Sequence, residues 1–399
     1  MIGTAEARVA RRGGLGGRIE GAWTGGGRFA DLGLRPAEAL YRLGIALRNR
    51  AFDVRLLRAH RAGVPVVSVG NLLVGGAGKT PFTRWLVAEL LARGEQPGIL
   101  HGGYAADEPD LHRRWYPELP VVVGRDRVRS AAAAIEQGAT VLVLDDAFQH
   151  RRIERDLDIV LVPAEGWTAR PRLLPRGPWR EPVTSLARAE LIVVTRRTAS
   201  AALAADVGRS VAAILATAPR PPKSAARDAA PGAAAAARAA AAVDAGQAAD
   251  AHAARDLADA IPIARAWLRA DAWRTVGTAG APDLSARPDA PVVAVAAIAR
   301  PAAFLENARD AGASIGAELL FADHHGYNAS DVARIREVAA GRPIVTTEKD
   351  WVKLGAVGGD LYGWVLEQAV ELEGGTEHVA AALDALPLGA EPRHGTGSA

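Results

Sequence analysis

Short apolar runs alternate with helical stretches from Val64 onward. "VPVVSV" (64–69), "PGIL" (97–100), "PVVV" (120–123), "TVLVL" (140–144), "DIVLV" (158–162) and "LIVVT" (191–195) have the length and β-branched content of buried strands. Patterns such as "PFTRWLVAELLARG" and "RVRSAAAAIEQG" lie between them and carry apolar residues at helical spacing. That alternation predicts an α/β fold, with a parallel sheet and helices on both faces. A second set of runs, "PVVAVAAI" (291–298), "ELLF" (318–321), "PIVTT" (343–347) and "LYGWVLE" (361–367), predicts a smaller C-terminal α/β lobe. No internal repeat is visible.

The segments around these runs complete the expected organisation. Residues 1–33 are rich in Gly and Arg and read as a flexible leader. Residues 34–63 form an amphipathic helical segment in which Leu40, Leu43, Ile45, Leu47, Val54 and Leu57 sit among arginines. Such a helix fits either an anionic membrane surface or packing on the next domain. The phosphate-binding core is assigned to 64–198, an alanine-rich low-complexity insertion to 199–260, the C-terminal lobe to 261–385 and a tail to 386–399. The insertion offers few large side chains to bury, so it reads as a loosely packed helix or an insertion at a domain junction.

Composition narrows the chemistry. Hydrophobic residues make up 49% and charged residues 23% of 399, the balance of a globular protein. Net charge is +3 with no basic stripe, which argues against nucleic acid as a partner. With no cysteine, disulfides, thiolate metal sites and thiol nucleophiles are excluded, which fits a cytoplasmic enzyme. Neither a signal peptide nor an apolar run of about 20 residues is seen.

The chemistry concentrates in "NLLVGGAGKTP". Strand, glycine-rich turn and helix follow one another, as a phosphate loop requires. Leu73, Val74, Gly75, Gly76, Ala77 and Gly78 would cradle phosphate oxygens with backbone amides, Lys79 would add charge and the Thr80 hydroxyl would hold Mg²⁺. Leu73 stands where the common pattern has its first glycine. "TVLVLDD" ends a buried strand in Asp145 and Asp146, the position of a metal-side carboxylate, although Asp also serves as a helix N-cap. Loop and acidic strand end together imply binding of a nucleotide with Mg²⁺.

"SVGNLLVGGAGKTP", "DDAFQHRRIERDLDIVLV", "LLPRGPWREP", "FADHHGYNASD" and "TTEKDWVKL" occur in register between about residues 34 and 370. In that combination the chain resembles the tetraacyldisaccharide 4'-kinases, P-loop kinases of lipid A biosynthesis. The family's loop reads x-V-G-G-x-G-K-T, so Leu73 is part of the resemblance.

What the resemblance implies is specific. ATP would phosphorylate the 4'-hydroxyl of a tetraacyldisaccharide 1-phosphate to give lipid IVA, in peripheral contact with the cytoplasmic face of the inner membrane through residues 34–57. Lys79 and the loop amides would hold the β- and γ-phosphates, with Mg²⁺ on Thr80, Asp145 or Asp146, and Glu181. Asp107, in the family's D-E-P, would be the base for the acceptor hydroxyl, paired with His324 of "DHH" and supported by Asp323. Gln149 and His150 would orient a metal water or a phosphate. By charge, Arg125, Arg127, Arg180 and Glu181 fit the lining of the phosphate and metal site, and "TEKD" (347–350) reads as structural or nucleotide-supporting. Protein partners stay unspecified.

Departures from the family pattern fall at Gly102-Gly103-Tyr104, where the family has R-G-Y, at the shortened Ala105-Ala106, and at Ala147, where it has glycine. They leave room for a kinase acting on another glycolipid or sugar. A P-loop ATPase switch is the alternative from outside that class, and it would not need Asp107 or His324.

Overall fold

The computed structural model describes residues 32–103, 107–218, 260–277, 284, 286–357 and 360–389. Most of the leader, Tyr104 to Ala106, residues 219–259 and the last ten residues therefore lie outside the described part. The chain divides into two compact units. The larger comprises Gly33–Gly103, Glu118–Trp267 and Glu371–Ala399. The smaller contains Leu268–Val370 together with the 104–117 stretch, which a contiguous division would have kept in the phosphate-binding core.

The larger unit starts with α1 (Arg35–Asp53), followed by β1 (Val66–Asn71), α2 (Lys79–Ala92) and β2 (Pro97–His101). After the excursion through α3 (Asp107–Trp115) come β3 (Val121–Val123), α4 (Arg127–Glu136), β4 (Val141–Asp145), β5 (Leu157–Pro163), β6 (Leu191–Arg196) and α5 (Ala201–Thr217). Its strands run in the order β3-β2-β4-β1-β5-β6, and β7 (Ile263–Val276) starts beside β6. Every one of these pairs is parallel. Successive strand residues face opposite sides, yet β1, β2, β4 and β5 are buried at every position, so both sheet faces are covered. Ala131 and Ala134 of α4 pack with Leu142 and Leu144 in one cluster, while Ala204, Val207 and Val211 of α5 pack with Val160, Val162, Ile192 and Val194 in another.

β1 lies between β4 and β5, and the chain order reverses there. Ligands of open α/β sheets bind beyond the carboxyl ends of the strands at such a switch point. The β1–β4 register sets Asp145 opposite Val69, two residues before the loop that leaves β1. One sheet pairing thus brings two distant motifs to the same edge.

The smaller unit orders its strands β11 (Gly363–Gly374), β10 (Ile344–Thr347), β8 (Val292–Ala296) and β9 (Ile315–Leu320). The described pairings of β10 with β11 and with β8, and of β8 with β9, are parallel. Helices α6 (Pro301–Asp310), α7 (Ala329–Ala339) and α8 (Glu348–Val357) connect them, and α9 (Thr376–Asp384) follows β11 within the larger unit.

Three local differences from the sequence reading have physical causes. β7 was not expected, because two of its buried positions, Ala264 and Ala266, are small and its run to Leu268 is interrupted by Arg265 and Trp267. Residues 201–217 of the alanine-rich tract fold as α5, where Val207 and Val211 supply enough apolar surface for docking. The N-terminal helix ends at Asp53 rather than reaching residue 63, and Val54, Leu56 and Leu57 are exposed beyond it.

Candidate active site

The loop from Asn71 to Thr80 is built in two halves. In the first, the Val74 amide donates to the Pro178 carbonyl (2.7 Å) and the Arg180 amide to the Leu72 carbonyl (2.7 Å), so Leu73 bridges Trp179 as a short antiparallel ribbon. Leu73 is buried with Phe148 and Trp179. A glycine there would give up that anchor, and nothing in this part of the turn requires left-handed backbone. The second half does require it: Gly75 and Gly78 have φ of 99° and 88°. Gly78 is the N-cap of α2, whose first turn brings Lys79 and the buried Thr80 to the mouth of the loop. One residue of β6 and one just after it brace the loop, the Thr195 hydroxyl donating to Ala77 O (3.1 Å) and the Arg197 guanidinium to Gly76 O (2.8 Å).

Asp145 and Asp146 separate sharply although they are adjacent. Asp145 is buried at the end of β4, with a carboxylate oxygen 3.8 Å from His101 Nδ1, and its carbonyl accepts from Arg127 (3.2 Å). Asp146 adopts a φ of 52°, and its carboxylate meets Lys79 Nζ at 3.4 Å and Arg180 at 2.7 Å. Burial alone would push this carboxyl up, but Lys79 and Arg180 outweigh burial and hold it well below the usual carboxylate range. Lys79 also donates to Asn71 Oδ1 (3.3 Å). Gln149 donates to the Asn71 carbonyl (2.9 Å) and accepts from Arg180 (3.4 Å), so Asn71, Lys79, Asp146, Gln149 and Arg180 form one network. His150 is held below its ordinary value by burial and by the charges of Arg127 and Arg48. Arg125 is exposed.

Glu181, expected in the metal set, is held by other partners in this structure. It is fully buried, and Arg188 binds both its oxygens (2.8 and 3.2 Å) while Asn49 donates to one (2.9 Å). Burial pushes the carboxyl up, but Arg188 brings it below the usual range. Its geometry is that of a structural ion pair which ties α1 to the site. Ala147, the departure from the family's glycine, is fully buried with its methyl in the cluster of Leu142 and Leu144.

The second constellation lies within the smaller unit. His324 Nδ1 is 3.2 Å from Asp107 Oδ2. Asp107 starts α3 and is buried, whereas His324 stands in a turn with φ of 55° and keeps 40% of its side chain exposed. Burial would raise the Asp107 carboxyl, but the His324 hydrogen bond and the charges of Lys349 and Lys353 hold it far below its ordinary value. In return Asp107 raises His324 against the opposing effect of burial, with Asp323 3.8 Å from Nε2 adding to the rise. The "TTEKDWVKL" segment supplies the frame. Lys349 pairs with Glu108, Glu348 accepts from Trp115 Nε1 (2.9 Å), and Lys353 lies 3.7 Å from Asp107. The fully buried Asp350 accepts from the Ala297 amide (3.0 Å), and the Ala297 carbonyl accepts from the His324 amide (3.1 Å). Asn71, Lys353, Arg188 and Arg197 were missed as site residues; only Asn71 and Lys353 fall inside motifs singled out from the sequence.

A parallel sheet whose central strand runs through a glycine loop into a helix, with aspartate at the end of the neighbouring strand, defines a P-loop nucleotide-binding protein. The chain belongs to the tetraacyldisaccharide-1-P 4'-kinase (LpxK) family, whose sequence model matches residues 30–112, 105–245 and 222–386. It is 36% identical over 377 residues to the tetraacyldisaccharide 4'-kinase of Anaeromyxobacter sp. (strain Fw109-5), covering 88% of this chain and 90% of the relative. To the enzyme of the same name from Syntrophus aciditrophicus (strain SB) it is 33% identical over 348 residues, covering 79% and 82%. The fold is shared with LpxK from Aquifex aeolicus, solved in complex with ATP, at a TM-score of 0.60 and 22% identity over 89% of this chain and 99% of that one.

Proposed function

We propose that this chain transfers the γ-phosphoryl group of ATP to the 4'-hydroxyl of a tetraacyldisaccharide 1-phosphate, forming lipid IVA. What carries the reading is the joint presence, in a member of this family, of the Lys79–Asp146–Arg180 network and the Asp107–His324 pair. Phosphoryl transfer depends chiefly on positioning and on neutralising charge. The amides of Gly75 to Gly78 and the Lys79 ammonium would take the terminal phosphates, and in doing so draw Lys79 away from Asp146. Thr80, Asp145 and Asp146 are oxygen donors of the kind Mg²⁺ selects; they would hold it, and the ion would supply positive charge against the phosphates. Glu181 is left out of that set because Arg188 holds both its oxygens, whereas the Lys79 and Arg180 contacts of Asp146 described above fall on Oδ1. Arg180, released from Asp146, would face the transferring group.

The acceptor proton goes to the Asp107–His324 pair acting as a unit. Asp107 is kept ionised and orients the ring through Nδ1, so the pair takes up a proton only when His324 is neutral. An ATPase switch would have no use for this pair.

Contact with the membrane is assigned to α1. One face is fastened to the larger unit by Tyr41 to the Arg180 carbonyl (3.0 Å), Arg48 to the Gln149 carbonyl (2.6 Å) and Asp53 to Arg151 (2.7 Å). Leu40, Leu43 and Leu47, at helical spacing, are 71%, 55% and 62% exposed. Among the described residues no helix is long and apolar enough to cross a membrane, so the contact proposed is peripheral, at the cytoplasmic face of the inner membrane.

The test is transfer of labelled γ-phosphate to tetraacyldisaccharide 1-phosphate in detergent micelles. Labelled, 4'-phosphorylated lipid is expected; normal ATP binding with no transfer to this acceptor overturns the proposal.

A further inference from the structure

The start of α1 forms one wall of a cavity of about 500 Å³ that lies apart from the phosphate loop. Its lining includes five arginines, Arg35, Arg42, Arg170, Arg172 and Arg176, and a single acid, Glu38. Glu38 is already committed: its carboxylate accepts from the Leu173 amide (2.8 Å) and Arg176 (2.9 Å), and lies 3.5 Å from Arg42. The lining thus carries five positive charges against one negative. The first turn of α1 adds the positive end of the helix dipole. Guanidinium groups in such a number select phosphate through paired N–H donors. The same helix carries the exposed Leu40, Leu43 and Leu47, all within two turns of Arg42. A basic pocket beside an apolar helical face complements a lipid headgroup above its acyl chains.

We propose that this pocket binds the phosphate of an anionic phospholipid headgroup at the bilayer surface, and so fixes the depth and rotation at which α1 sits. The inference rests on the peripheral-membrane reading of α1 given above. Arg176 and Glu38 act as the frame, since each holds the other, while the exposed Arg35, Arg42 and Arg170 meet the ligand.

The experiment compares binding of the full chain to vesicles of phosphatidylcholine alone and to vesicles containing phosphatidylglycerol. The pocket variant Arg35→Gln/Arg42→Gln/Arg170→Gln is set against Arg55→Gln/Arg58→Gln/Arg61→Gln, which removes the same charge from exposed positions beyond α1. Each arginine near an anionic surface is worth about fivefold in partition, so the pocket variant should lose roughly a hundredfold of the preference for phosphatidylglycerol. Its binding to phosphatidylcholine should be retained, and the control should lose at least about tenfold less.

Equal losses in the two variants would mean diffuse attraction and overturn the pocket. So would competition by inorganic phosphate beyond that of sodium chloride at equal ionic strength, since the site would then take a free anion. A rise in acceptor KM at unchanged kcat for the pocket variant, in neutral detergent micelles, would assign the pocket to the acceptor's own phosphate and also overturn it. Failure of the underlying reading shows separately: Leu40→Ser/Leu43→Ser/Leu47→Ser would then bind phosphatidylcholine as the unaltered chain does.

Discussion

At the scale of single residues, the informative feature is how differently the carboxylates are treated. Asp107 is buried yet ionised, because His324, Lys349 and Lys353 outweigh its desolvation. A proton on His324 is favoured by the same contact, so at low pH the pair is already loaded. The rate kcat/KM should therefore rise with pH, with its acid limb above the ordinary histidine value of about 6.5. Stability has the opposite sign. The increment from His324 is complete below the unfolded histidine value and is lost as pH rises through the raised folded one, while that from Asp107 is lost as pH falls toward its depressed value. Asp107→Asn should cut kcat by about 10²–10⁴-fold with ATP affinity nearly unchanged; retained turnover with weakened ATP binding would refute the assignment. Glu181 makes the contrasting case. Removing one charge of a buried pair costs about 3–5 kcal/mol. Glu181→Gln should thus lower Tm clearly while the Mg²⁺ concentration for half-maximal activity stays put. A large shift in that concentration with unchanged Tm would restore Glu181 to the metal set.

At the scale of elements, the core strands were legible because each is a run of Val, Ile and Leu buried on both faces, which leaves little else for the chain to do. β7 was not, since burial of Ala264 and Ala266 depends on neighbours that their own segment does not announce. The phosphate loop was legible in its second half, where Gly75 and Gly78 meet a backbone demand. In its first half the meaning of Leu73 depends on Trp179, a partner brought in from another segment by tertiary folding. The roles of Arg188 and Lys353 were likewise hidden, although Lys353 lies in a quoted motif, as they come from which acid folding sets beside each. Gly70 is a constraint of the same non-local kind. A Cβ there would lie 2.5 Å from Phe148 Cβ and 2.7 Å from Phe148 N, within the turn that follows Asp145 and Asp146. Gly70→Ala should push that turn off β1, lowering both Tm and ATP affinity. If thermal unfolding and ATP titration both match the unaltered chain, the close approach does not position the acidic pair.

At the scale of the whole molecule, the residues to which the proposed chemistry is assigned are divided between two units of the chain. The loop residues, Asp145, Asp146, Gln149 and Arg180 belong to the larger, and Asp107, His324 and Lys353 to the smaller. The chain passes between units at 32/33, 103/104, 117/118, 267/268 and 370/371, so α3 carries Asp107 on an excursion out of the larger unit's sheet. Sequence order concealed this division, because Asp107 lies between two strands of the larger unit. It implies that nucleotide binding and proton removal can be lost one at a time. A ligand that binds only the folded state stabilises it by RT ln(1 + [L]/Kd), about 2.7 kcal/mol at a hundredfold excess over Kd. With ATP and Mg²⁺ but no acceptor lipid, Asp107→Asn should keep the full ATP-dependent rise in Tm, and Lys79→Ala should lose it. The same comparison by hydrogen exchange should show ATP protecting amides of 71–82 in the unaltered chain and in Asp107→Asn, but not in Lys79→Ala. If Asp107→Asn abolished both responses, Asp107 would be required for nucleotide binding, and the division of labour drawn from the two units would fail.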